Sequence, residues 1–147
     1  MTKQERYDAV FAQVEALCRG EEDWVALWAN AAAVLHAAFG WWWTGFYRVV
    51  GEELVLGPFQ GPVACIRIPF GRGVCGTAWK EDRTVVVPDV EQFPGHIACS
   101  SASRSEIVVP LRREDRVVAV LDIDSRDLAA FDDVDAACLE RIAALLA

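Results

Sequence analysis

An α+β fold, one antiparallel sheet of five to six strands packed with N-terminal and C-terminal helices, is predicted by three observations. Apolar residues recur at helical spacing at both ends of the chain, β-branched and alternating runs fill its middle, and glycine and proline punctuate the segments between. At 147 residues and 54% hydrophobic content the chain has material for one full core, so residues 1–147 are expected to form a single domain.

Tyr7, Val10, Phe11, Val14 and Leu17 keep helical spacing until Gly20 stops the pattern. Asp23 can cap a second helix with Trp24, Trp28, Ala31, Leu35 and Phe39 on one face and Gly40 at its end. A lone histidine on such a helix, His36, is assigned a structural role. Trp41 to Val50 and Leu54 to Gln60 suit two strands of a hairpin turning at Gly51 and Glu52. Glycines and prolines then bend the chain before Cys65 to Ile68, and Pro69 blocks further central pairing. Gly71, Gly73 and Gly76 spell G-x-G-x-x-G, but the helix that follows has room only for about Val74 to Lys80. The run is therefore read as a sharp turn opening a short helix whose first amides face a pocket, not as a dinucleotide fingerprint. Strands are expected at Thr84 to Val87, Glu106 to Leu111 and Arg116 to Ile123, with a charged turn from Arg112 to Asp115. Phe131 to Leu146 reads as a closing amphipathic helix, Asp132 its cap and Val134, Cys138, Ile142 and Leu145 its inner face.

The formal charge of −8 with no basic cluster repels phosphate backbones and anionic membranes, which excludes nucleic acid as a partner. The uncharged run from Trp24 to Tyr47 passes the length test for a membrane span. Asn30 and His36 interrupt it, however, Gly40 divides it, and acidic residues precede it, so a buried helix followed by an aromatic strand is the better reading. The first ten residues show no apolar signal core, and a cytoplasmic, reducing compartment with five free thiols at rest is expected. With no C-x-x-C pair and only 2 histidines, a structural metal site is not expected.

Among the cysteines, 18 and 138 fall on helical patterns and are assigned to the core, whereas Cys65, Cys75 and Cys99 sit in irregular segments. Cys65 and Cys75 read equally as small residues fitted beside glycine. The run FPGHIACSSASRSEIVVPL places Cys99 on irregular backbone that opens into a strand beginning with Glu106, so a thiol and a carboxylate can face one small site. Period-two alternation puts Asp122 and Asp124 on one face of the last strand, and Trp43 and Tyr47 on one face of the first. Without further context these remain sheet-edge charges and core aromatics. His96, three residues before Cys99, has no evident orienting partner for Cys–His catalysis.

The segments GPFQGPVACIRIPFGRGVCGTAW, VPDVEQFPGHIACSSASRSEIVVPL and VVAVLDIDS, in that order, resemble the free methionine-(R)-sulfoxide reductase family, which is built on a GAF domain; the similarity runs from about Trp43 to Asp133. The resemblance implies reduction of the R-sulfoxide of free methionine with no cofactor. In that reading Cys99 is the attacking thiolate, Cys65 the resolving thiol, Cys75 an auxiliary cysteine, and thioredoxin the external reductant. It also implies that Glu106, Asp122 and Asp124 contact substrate and that Trp43 and Tyr47 line its pocket; a homodimer is common for the fold. The chain departs from the family in carrying Ser100 directly after Cys99, where an acidic residue is usual.

A sulfoxide oxygen must be protonated or strongly hydrogen-bonded before a thiolate can displace it. Glu106 with Asp124 is the candidate donor, because crowded carboxyls resist full ionisation, and Asp122 with them would attract the ammonium of a free amino acid. The rival reading is a non-catalytic small-molecule-binding or redox-sensing GAF module, since this fold serves many ligands.

Overall fold

Capping groups start each long helix, at the expected Asp23 and Asp132 and, for the first helix, at Thr2. The structure, a computed structural model, describes residues 1–97 and 102–147. α1 (Lys3–Cys18) opens on a capping box between Thr2 and Glu5. α2 (Trp24–Phe39) opens on Asp23, whose carboxylate accepts the Val25 and Ala26 amides at 3.0 and 3.2 Å, and ends at Gly40 in the left-handed region. α4 (Asp133–Leu146) is boxed by Asp132 and Asp135. Asp135 is buried, and it also accepts the Tyr7 hydroxyl and the Lys3 ammonium, tying α4 to α1. The apolar stripe outruns the core at two helix ends. Leu17 and Trp24 are 36% and 37% exposed, the latter lying under the Arg48 guanidinium.

The strands are β1 (Trp43–Val50), β2 (Glu53–Gln60), β3 (Arg67–Pro69), β4 (Val85–Val87), β5 (Ser105–Arg113) and β6 (Arg116–Ser125), with a short α3 (Gly73–Glu81) between β3 and β4 and a 3-10 turn at Val90–Gln92 between β4 and β5. They form one 6-stranded antiparallel sheet in the order β3-β2-β1-β6-β5-β4. Pro69 thus closes an edge strand, where its missing N–H costs no ladder bond. The expected four-residue turn is shorter in fact. Glu114 and Asp115 alone make it, with φ of 54° and 61°, the positive pair that a tight hairpin demands, so Arg112, Arg113 and Arg116 belong to the ladder. The uncharged run from Trp24 resolves into α2 and β1, and no helix among the described residues is long and apolar enough to cross a membrane.

Alternation sorts the central strands into two faces. Phe46 of β1, Ile107, Val109 and Leu111 of β5, and Ala119, Leu121 and Ile123 of β6 point to α1, α2 and α4 and form the larger core. Trp43, Tyr47, Val108 and Val120 point to the opposite face, where α3 packs with Val74, Cys75 and Ala78 over a second core. Glu106, Asp122 and Asp124 share the parity of this second set.

Contact between α3 and the turn before it depends on Gly76. A β-carbon there would lie 2.9 Å from the Pro69 carbonyl oxygen and 3.0 Å from the Gly71 carbonyl carbon, both backbone atoms that cannot swing away. Gly76→Ala is therefore expected to destabilise the fold by about 1–3 kcal/mol, the usual cost of overpacking. Thermal unfolding checks this, and an unchanged midpoint would show that the turn yields freely.

Candidate active site

Two neighbouring pairings carry the acidic groups. Glu106 of β5 lies opposite Asp124 of β6, and Trp43 of β1 lies opposite Asp124 from the other side, while Gly45 faces Asp122. All these side chains leave the sheet on the α3 side, and with Cys75, His96 and Ser103 they line a cleft enclosing ≈ 550 Å³ between protein atoms, part of it open to solvent. Gly45 is what lets the aromatic wall form. A β-carbon there would meet the Trp43 indole at 2.7 Å, so the ring lies over the glycine and stacks at 5.9 Å on Tyr47 and 5.2 Å on Phe59. Both wall residues also hold the loop above: Trp43 Nε1 donates to the Pro62 carbonyl at 3.0 Å and the Tyr47 hydroxyl to the Cys65 carbonyl at 2.9 Å.

The floor of the cleft is acidic and largely shielded from solvent. Glu106 and Asp122 are 5% and 6% exposed. Burial, then the charges of Asp122 and Asp124, pushes the Glu106 carboxyl well above its ordinary range, and burial followed by Asp122 does the same for Asp124. Asp122 is also raised by burial, but hydrogen bonds from Glu106, Cys75 and Asp124 oppose the shift, which makes it the carboxyl that ionises most readily. With all three ionised, Asp122 Oδ1 would be buried with no donor. A proton kept on Glu106, or the Cys75 thiol, supplies one.

The Cys75 thiol is itself pushed well above its usual value by burial and by the same carboxylates, so it stays protonated and is unsuited to nucleophilic attack. His96 lies with Nε2 3.9 Å from Glu106 Oε1, and burial lowers its pKa, so the pair favours a protonated acid beside a neutral imidazole. Ser103 donates to Asp124 Oδ1 at 3.2 Å.

Of the residues singled out from the sequence, Trp43, Tyr47, Cys75, Glu106, Asp122 and Asp124 meet around this cleft, where Asp122 is buried and Asp124 half-buried, so neither is a freely solvated edge charge. Cys65 is half-buried in the loop that Tyr47 anchors. Cys99 lies outside the described residues. Cys18, Cys75 and Cys138 are free, whereas Cys65 is disulfide-bonded, which corrects the expectation of free thiols throughout. Loop cysteines are open to oxidation in a way that helix-core cysteines are not. His96 and Ser103 were not expected in the site. Neither carries a periodic signal, and only the fold brings their loop to Glu106 and Asp124.

A GAF-domain family model matches residues 19–147. The free methionine-R-sulfoxide reductase of Escherichia coli is 45% identical over 99% of this chain and 89% of its own length. GAF domain-containing protein A of Dictyostelium discoideum is 53% identical over 99% of this chain and 92% of its length. The crystal structure of the free methionine-R-sulfoxide reductase of Neisseria meningitidis with its substrate superposes with a TM-score of 0.97 at 57% identity, covering 99% of this chain and 89% of that one. The chain belongs to the free methionine-R-sulfoxide reductase family of GAF domains. Within this family's GAF fold the cleft lies between the sheet and α3, on the face away from α1, α2 and α4. GAF domains of 15% identity keep the architecture at a TM-score of 0.88, so the fold itself leaves the ligand open.

Proposed function

We propose that the chain reduces the R-sulfoxide of free L-methionine. The observation that carries this is the acidic set Glu106, Asp122 and Asp124 beneath the Trp43–Tyr47 wall, in a chain 57% identical to a reductase of that name whose structure holds its substrate. Asp122, the readiest to ionise, receives the ammonium of the free amino acid, a group that a peptide-bound residue lacks. The aromatic wall takes the S-methyl group. Glu106, kept protonated by burial and its neighbours, hydrogen-bonds the sulfoxide oxygen.

Cys99 attacks the sulfur as thiolate, the S–O bond breaks, and the net transfer of oxygen leaves methionine and a sulfenic acid on Cys99. The substrate sulfur gains the two electrons that the cysteine sulfur loses. The Cys65 thiol then displaces the sulfenic oxygen as water and forms a disulfide, and a dithiol protein such as thioredoxin reduces that bond by exchange, itself becoming oxidised. Support for Cys65 comes from its loop position above the cleft and its disulfide-bonded state. Dependence on thioredoxin agrees with a cytoplasmic setting.

The test mixes the purified chain with thioredoxin, its reductase and NADPH and follows NADPH oxidation with each diastereomer of free methionine sulfoxide. Turnover of the R form alone is expected. Turnover with neither would leave a small-molecule-binding GAF module as the reading.

A further inference from the structure

One group of donors in the cleft is suited to a ligand other than an amino acid. The Cys75 sulfur and one carboxylate oxygen each of Glu106 and Asp122 lie within 4.8 Å of one another, and all three residues are buried. They come from α3, β5 and β6, so no sequence spacing announces them. A second observation singles the cluster out: Asp122, 94% buried by its 6% exposure, has no hydrogen bond within ordinary geometry at its Oδ1, whose only candidate donors among the described residues are the Cys75 thiol and the protons held among the neighbouring carboxyls, the same groups that a cation would replace. Among the described residues no lysine or arginine pairs with either carboxylate, and the nearest titratable base is His96, at 3.9 Å from Glu106. A buried cluster of acids with one soft donor and no paired lysine or arginine among the described residues is one whose repulsion a small divalent ion relieves.

We propose that Cys75, Glu106 and Asp122 form a site for a thiophilic divalent cation of the zinc class, which binds in the cleft in place of the organic ligand. Zinc accepts thiolate at about 2.3 Å and carboxylate at about 2.0–2.2 Å, which sets tetrahedral donors about 3.5 Å apart. Side-chain rotations that close the group by about 1 Å satisfy it, and the fourth position opens on the cleft. Magnesium and calcium prefer all-oxygen shells and are excluded by the sulfur. Binding displaces the Cys75 proton and those shared among Glu106, Asp122 and Asp124, so affinity rises with pH, His96 and the Tyr47 hydroxyl being the other titratable groups facing the cluster. The ion is an inhibitor and not a cofactor. That consequence rests on the function proposed above, whereas binding itself does not.

The site is tested by calorimetric titration of the reduced full chain with zinc and, in parallel, with cadmium, whose bond to thiolate absorbs in the ultraviolet. Wild type and a Cys65→Ala/Cys99→Ala chain, unable to turn over on the redox reading, are both expected to bind one ion, with no response to magnesium. Cys75→Ser should lose the thiolate absorption and weaken binding at least about 10-fold, the loss that even an outer-shell partner causes. Asp122→Asn, which keeps the volume, should weaken it as well. Methionine sulfoxide should compete. No stoichiometric binding, or undiminished binding by both single variants shown by circular dichroism to be folded, would overturn the site. Inhibition can be scored only if turnover is found, so failure of the activity and failure of the metal site are read separately.

Discussion

Cys99→Ser is expected to reduce thioredoxin-coupled turnover of free methionine-(R)-sulfoxide by at least about 10³-fold, because a hydroxyl is far less nucleophilic than a thiolate and no general base beside it is proposed. The companion variant separates the two cysteine roles. Cys65→Ser should produce one methionine per chain in a rapid-quench experiment and then stall, with a sulfenic acid trappable on the remaining loop cysteine. Cys75→Ser should keep the burst, since burial holds that thiol protonated. Equal steady-state rates in wild type and Cys99→Ser would reject the nucleophile assignment. A stalled burst in Cys75→Ser would move the resolving role from Cys65 to Cys75.

Glu106→Gln is expected to lower kcat/KM by about 10²- to 10⁴-fold, the usual contribution of a positioned general acid, and to stabilise the fold near neutral pH. Burial raises the folded-state pKa of Glu106 well above its ordinary 4.5, so folding favours the protonated form. Stability from this group is complete below about 4.5 and is lost as pH rises through the folded value. Glutamine, always neutral, removes that loss, and its amide can donate to Asp122 Oδ1. The variant should therefore melt higher than wild type at pH 8 and alike at pH 4, while each unit of raised pKa corresponds to about 1.4 kcal/mol. In wild type, activity should rise as Cys99 ionises and fall again as Glu106 gives up its proton, a bell whose alkaline limb disappears in Glu106→Gln. A variant that melts no higher than wild type at pH 8 would reject a raised folded-state pKa for Glu106.

The helices, the six strands and the acidic face were legible in the sequence because each rests on local rules. Asp23, Asp132, Gly40 and Gly20 punctuate the helices, and alternation alone places Asp122 with Asp124 and Trp43 with Tyr47. Pairing across strands was not legible. That Glu106 stands opposite Asp124, and that the cleft brings His96 and Ser103 to the same carboxyls, depends on register and loop path, which no periodicity encodes. Charged composition also misled at the β5–β6 hairpin, where four polar residues suggested a loop and the backbone needed only Glu114 and Asp115. The roles proposed for Cys65, Cys75 and Cys99 came from family likeness, since isolated cysteines look alike whether inert or reactive.

The division of β1, β5 and β6 into a side backed by α1, α2 and α4 and a side that floors the cleft means that odd and even positions along one ribbon answer to different selective demands. Substitutions at 120, 122 and 124 can retune what is recognised while 119, 121 and 123 go on holding the scaffold together. A single-residue insertion within β6 would exchange the two roles at a stroke, sinking two acids into hydrocarbon and lining the cleft with leucine and isoleucine. Such a chain fails at folding before it fails at chemistry, so lineages diverging in specificity are expected to vary side chains here and to keep strand length fixed.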